Sequence, residues 1–141
     1  MVVIYGCSTG AHASVVAAGL HLGWLDPERF PGRQELENLP HFDSGENPGL
    51  FFMGADKAGR RVYTAAVDGE GRLVSKLIFS FLEVLGRLPS EVTFIDLASR
   101  EPFILRFGSL LRRSGWGRGI GLRLIIWGLR AYYPRLVSSL T

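Results

Sequence analysis

Val2-Val3-Ile4-Tyr5-Gly6-Cys7-Ser8-Thr9-Gly10-Ala11-His12-Ala13-Ser14 is the stretch whose reading decides the fold. Val2–Tyr5 is a short apolar, β-branched run ended by Gly6, the pattern of a buried strand. Residues 14–22, Ser-Val-Val-Ala-Ala-Gly-Leu-His-Leu, then read as a helix with Gly23 as its C-terminal stop. Strand, glycine-bearing loop and helix form the opening unit of many α/β proteins.

The pattern continues outward from this unit. Four prolines, at 27, 31, 40 and 48, make residues 26–49 an irregular crossover around a short helix at Arg33–Leu39. Leu50–Gly54 and Arg61–Val67 read as strands, and the short polar turn between them, ending in Gly59, favours an antiparallel hairpin. Arg72–Leu88 is an amphipathic helix, because Leu73, Leu77, Phe81 and Leu85 recur at intervals of four. Glu91–Leu97 is another strand, and Pro102–Arg113 a helix with Phe103 and Phe107 on one side and Arg106, Ser109 and Arg113 on the other. Residues 115–121 read as a glycine-rich loop whose spacing matches no cofactor fingerprint, so no cofactor is assigned. Leu122–Trp127 reads as a last strand, followed after Gly128 by a terminal helix that Pro134 starts or kinks. The expected fold is a single three-layer α/β domain over 1–141, with Val2–Tyr5, Glu91–Leu97 and Leu122–Trp127 as neighbouring, mainly parallel strands and Leu50–Val67 adding the hairpin.

Composition supports one globular domain. The chain has 141 residues, 47% hydrophobic and 21% charged, which excludes wholesale disorder. The single cysteine, Cys7, excludes a disulfide scaffold and a multi-cysteine zinc module. Residues 1–25 carry no Lys, Arg, Asp or Glu, but Gly6, Ser8, Thr9, Gly10, His12 and Ser14 interrupt the run and no basic segment precedes it. Neither a membrane span nor a signal peptide is expected, and the unpaired thiol points to the cytoplasm.

Net charge is +3, unevenly distributed: residues 1–99 hold 8 Lys and Arg against 12 Asp and Glu, whereas residues 100–141 hold 8 Arg and one acid, Glu101. The C-terminal third therefore suits an acidic partner, whether nucleic acid, a lipid surface or a phosphorylated ligand. The absence of any contiguous block of like charges fits ordinary solvated helix faces equally well. No nucleic-acid recognition module is evident, which argues against nucleic acid.

The Gly6–Ser14 loop carries the candidate chemistry. Between a strand and a helix N-terminus, backbone N–H groups lack intrahelical partners and glycines let a ligand approach, so phosphate or carboxylate is the natural guest. The loop is not a Walker A loop, since Ala11, His12 and Ala13 stand where Gly, Lys and Ser or Thr belong. It is not a tyrosine-phosphatase loop either, because Ala13 occupies the arginine position. The expected ligand-binding residues are Gly6, Ser8, Thr9, Gly10 and Ser14. His12 is the candidate for orienting an anion or moving a proton. Cys7, at the helix N-terminus, is a candidate thiolate, with a small core residue as the alternative. Asp96 ends an apolar strand at the same sheet edge and is a candidate to hold water or a metal, or else to cap the next turn. His21, about 180° around the helix from His12, is expected to be a partly exposed helix residue.

Tyr5, Cys7, Gly10, His12 and Ser14, the helix start Val15-Val16-Ala17-Ala18 and the run His21-Leu22-Gly23 carry a resemblance. So do Glu35-Leu36, Leu39-Pro40, Phe42-Asp43, the hairpin Phe52-Met53-Gly54-Ala55-Asp56 with Gly59 and Val62-Tyr63, and the late Ala131-Tyr132 with Pro134. Over nearly its whole length the chain resembles an uncharacterised domain-of-unknown-function family, three-one-eight-nine, of spore-forming Gram-positive bacteria. The resemblance implies a compact intracellular α/β protein and draws attention to Cys7–Ser14, but implies no activity.

Two classes of function fit these readings. One is a protein that binds a phosphate-bearing small molecule or nucleotide at the Gly6–Ser14 loop, with hydrolysis as its chemistry through His12, Cys7 and Asp96. The other is a non-enzymatic regulatory or assembly protein whose basic C-terminal third contacts a partner, for which exposed Phe103, Phe107, Trp116 and Trp127 would be the sign.

Overall fold

The computed structural model describes residues 1–8, 11–43, 50–67, 71–86, 91–113 and 118–140. In chain order its elements are β1 (Val2–Cys7), α1 (Ala13–His21), α2 (Arg33–Glu37), β2 (Leu50–Ala55), β3 (Arg61–Ala66), α3 (Gly71–Val84), β4 (Val92–Asp96), a 3₁₀ turn at Ala98–Arg100, α4 (Phe103–Arg113) and α5 (Arg118–Leu140). The four strands form one sheet in the order β2-β3-β1-β4. β1 runs parallel to β3 on one side and to β4 on the other, while β2 returns antiparallel along β3 with an irregularity between Phe52 and Gly54.

Alternation along β1 sets the layers. Val3, Tyr5 and Cys7 enter the main core with Val15, Val16, Ala17 and Ala18 of α1 and Ile125, Leu129 and Leu136 of α5. Val2 and Ile4 point to the opposite face, where Leu77, Ile78, Phe81 and Leu82 of α3 close a cleft of about 660 Å³ over the sheet. Helices thus cover both faces, as a mainly parallel sheet requires. The chain leaves β1 on one face through α1 and returns to β3, then uses α3 on the other face to reach β4. Strand order therefore reverses at β1, the position at which open α/β sheets form a crevice beyond their strand ends.

The expected strands at Val2–Tyr5 and Glu91–Leu97 are parallel neighbours, and Leu50–Val67 is a hairpin. Leu122–Trp127 departs from expectation: it lies inside the continuous 23-residue helix α5, so β1 takes its second parallel partner from the hairpin instead. Buried Leu122, Ile125, Leu129, Tyr132, Tyr133 and Leu136 recur at helical spacing across Gly128. Residues 118–121 of the expected glycine-rich loop form the first turn of that helix, Pro134 lies within it, and 114–117, including Trp116, are outside the described residues. Among the described residues no helix is long and apolar enough to cross a membrane.

Candidate functional site

β1 delivers Cys7 and Ser8 to the C-terminal edge of the sheet, level with the ends of β3 and β4. Glu101, just beyond the 3₁₀ turn that follows β4, reaches back to this edge. The Ser8 amide donates to Glu101 Oε1 at 3.3 Å and the Ser8 hydroxyl to Oε2 at 2.7 Å, so one residue clamps both carboxylate oxygens. Burial pushes the Glu101 carboxyl above its ordinary value, against the Ser8 hydrogen bonds and the nearby Arg106 and His12, which draw it down.

His12 is the N-cap residue of α1, and its carbonyl accepts from Val16 N–H at 3.0 Å. Its imidazole is buried edge-on to Phe42, with ring centroids 5.7 Å apart. Nε2 lies 3.0 Å from Asp43 Oδ1, and Asp43 Oδ2 accepts from Arg112 Nε of α4 at 2.7 Å. Arg112 Nη2 also pairs with Oδ2. Asp43 has φ +53° and His41 φ +64°, the left-handed region that Asp, Asn and His tolerate better than other side chains. In that conformation the Asp43 amide donates to Ala11 O at 2.9 Å, which fixes the carboxylate against His12. Burial raises the Asp43 carboxyl, but hydrogen bonds and charge from His12 and Arg112 outweigh it and leave the group below its ordinary value. An ionised Asp43 accepts the Nε2 proton, so a neutral His12 ring carries its lone pair on Nδ1.

The remaining expected site residues are placed differently. Cys7 is fully buried and its Sγ donates to Ser14 Oγ at 3.1 Å, so both face the core. Burial and the Glu101 charge push the Cys7 thiol up, against the weaker pull of hydrogen bonds at Ser14 and His12. Burial therefore works against the thiolate that the position at a helix N-terminus suggested. Gly6 is required by packing, since a Cβ there would stand 2.9 Å from the Phe94 ring. Asp96 Oδ1 accepts from Ala98 N–H at 3.0 Å and caps the 3₁₀ turn. Thr9 and Gly10 lie outside the described residues. Among the described residues no group of three or more His, Cys, Asp and Glu side chains could hold a metal.

A second polar chain occupies the opposite end of the sheet. The buried Tyr5 hydroxyl lies 2.7 Å from His21 Nδ1, His21 Nε2 lies 2.8 Å from Asp56 Oδ2, and Arg60 Nε donates to the same oxygen at 2.7 Å. His21, at the end of α1 and of intermediate exposure as expected, ties β1, α1 and the hairpin turn together. Burial pushes the Tyr5 phenol up to about 12. A cleft of about 590 Å³ adjoins this chain, walled by Leu20, Leu22, Val137 and Leu140.

Sequence reasoning missed Asp43, Arg112 and Glu101 as site residues. Asp43 is 31 positions from His12 and 69 from Arg112, so no local spacing announces the trio. Only Phe42-Asp43, within the resemblance, marked that position.

The fold and this edge define a small α/β domain with a polar cluster where strand order reverses. The chain belongs to the protein family of unknown function DUF3189, whose model matches residues 2–141. No curated protein and no solved structure matches it significantly.

Proposed function

We propose that this chain binds a phosphate-bearing small molecule or nucleotide at the C-terminal edge of β1, in the cytoplasm, with His12 as the proton-transferring group if the ligand is hydrolysed. The observation that carries the reading is the Ser8 clamp: an amide and a hydroxyl at this edge already hold a carboxylate, and the same two donors suit phosphate oxygens. In this reading Glu101 occupies the anion position in the empty protein and yields it to the ligand. Arg106 and His12 lie close enough to Glu101 to draw its carboxyl down, and Thr9 and Gly10, the other expected ligand residues, lie outside the described residues. Cys7 and Ser14 join the end of β1 to the start of α1, and Asp96 holds the 3₁₀ turn that leads to Glu101.

Calorimetric titration with inorganic phosphate and with nucleoside mono- and triphosphates tests this on the wild type, Glu101→Gln and Ser8→Ala. Removing the competing charge should tighten binding by about tenfold, and removing the Ser8 hydroxyl should weaken it by a similar factor of about ten. No heat and no thermal stabilisation with any of these anions, in the wild type and in Glu101→Gln alike, overturns the reading.

A regulatory or assembly role for the basic C-terminal third is the second reading. It is favoured by the exposure of Phe103, Phe107 and Trp127.

A further inference from the structure

α4 and α5 pack with their backbones in close contact. A Cβ built on Gly121 would stand 2.8 Å from both Gly108 O and Arg112 N, so glycine lets the two helices lie side by side at short range. Leu105 of α4 and Leu122, Ile125 and Leu129 of α5 turn inward to the core. On the faces away from the sheet, α4 carries Phe103, Phe107 and Leu110, spaced by four and three, and α5 carries Ile120 and Trp127, seven apart. These side chains protrude: Phe103 is 79% exposed, Trp127 64%, Leu110 63%, Ile120 61% and Phe107 43%. Two adjacent helices thus present one broad apolar outer face.

Charge identifies what such a face suits. Arg106, Arg123 and Arg130 are exposed on the same two helices. The only acid in residues 100–141 is Glu101, which is turned into the Ser8 clamp rather than onto this face. We propose that the α4–α5 face is a docking platform for an anionic lipid surface. A basic helical surface bearing Trp, Phe and Leu lies at the boundary of headgroups and acyl chains, its arginines meeting lipid phosphates. Trp127 suits that boundary, with an apolar ring body and a polar N–H. A second copy of the chain is a poor occupant, because face-to-face pairing would set arginines against arginines. An acidic protein would need a pocket for each protruding ring, whereas fluid hydrocarbon accepts any knob. The proposal stands apart from anion binding at Ser8: Phe103, Trp127, Arg123 and Arg130, the residues its test changes, take no part in that clamp, whereas Arg106 also donates to Ala98 O at 2.7 Å.

Flotation of the full chain with vesicles tests it, comparing phosphatidylcholine alone with phosphatidylcholine containing about one quarter phosphatidylglycerol. Association is expected only with the anionic vesicles, and it should weaken at about 0.5 M salt, where charges are screened within a few ångströms. Phe103→Ser combined with Trp127→Ser should reduce association by about tenfold or more. These positions are exposed, so circular dichroism and thermal melting should be unchanged. Arg123→Gln combined with Arg130→Gln should act likewise, and Val84→Ser with Leu85→Ser, both exposed at the C-terminal end of α3, should have no effect. The proposal is overturned by absence of anionic-vesicle association at low salt, by association that the Phe103 and Trp127 variant retains, or by association that the α3 variant abolishes. Binding to polyglutamate or duplex DNA without vesicle association also overturns it, and assigns the face to an acidic macromolecule.

Discussion

Asp43 reaches His12 across 31 residues of chain, its Oδ1 lying 3.0 Å from the imidazole Nε2 in a largely buried pair. The contact ties the irregular crossover to the start of α1, and Arg112 extends it to α4. Because the Asp43 carboxyl is held below its ordinary value, its stabilising contribution is complete above the ordinary carboxylate range near pH 4 and is lost as pH falls through the lower folded value. Asp43→Asn should cost about 1–3 kcal/mol at neutral pH and remove this part of the acid sensitivity. Urea midpoints measured from about pH 7 to about pH 3 check both statements.

Glu101 has the opposite sign. Its folded pKa lies above the unfolded one, so its contribution is full below the ordinary carboxylate range and is lost as pH rises through the folded value. Glu101→Gln should abolish that loss and, keeping an acceptor for the Ser8 amide, should leave stability at neutral pH equal or higher. The same urea series on this variant is the check, and a clear destabilisation at pH 7 would contradict it.

Cys7 should be inert in the folded protein. Its thiol is pushed up and wholly buried, so iodoacetamide should label it only after unfolding, even at pH values where an ordinary thiol of pKa about 8.5 reacts. Alkylation rates with and without denaturant decide this. Fast labelling of the native chain would restore the thiolate reading.

The Tyr5–His21 contact should stabilise the fold measurably. His21→Ala leaves a buried hydroxyl without its partner and should cost about 1–3 kcal/mol, whereas Tyr5→Phe should cost about 1 kcal/mol. A double-mutant cycle reads their coupling directly. Asp56, drawn far down chiefly by its hydrogen bond with His21, adds a contribution that is present above the ordinary carboxylate range and lost in acid.

Gly121→Ala should separate α4 from α5, because its new methyl group meets backbone atoms that cannot step aside. A loss of about 1–3 kcal/mol is expected. Gly128→Ala, which meets the side chains of Ile104 and Leu105, should cost less. Chemical denaturation of the two variants ranks them.

What sequence could yield follows from how local each signal is. β1, the hairpin, β4 and the first four helices announce themselves through period and punctuation within a few residues, and the structure keeps them, most within a few residues of the expected bounds. Leu122–Trp127 misled because a short apolar run bounded by glycines suits a buried strand as well as a buried helix. Gly119, Gly121 and Gly128 looked like breakers, whereas Gly121 and Gly128 serve contact between helices. At the site, His12 and Ser8 were legible because a strand–loop–helix unit directs attention to its loop. Asp43, Arg112 and Glu101 were not, since tertiary folding alone brings them there from distant segments.

The central place of β1 also bears on how the chain becomes folded. Val2 pairs with Arg61 on one side and Val92 on the other, so the strand has no partner until segments far downstream exist. Until then an apolar strand offers two open edges, the condition under which nascent or partly folded chains recruit strands from one another. Contacts so distant in sequence also slow the search for the native pairing. A product truncated before β4 would keep one of those edges open, so association during synthesis and refolding is governed by a strand that the finished protein covers on both sides.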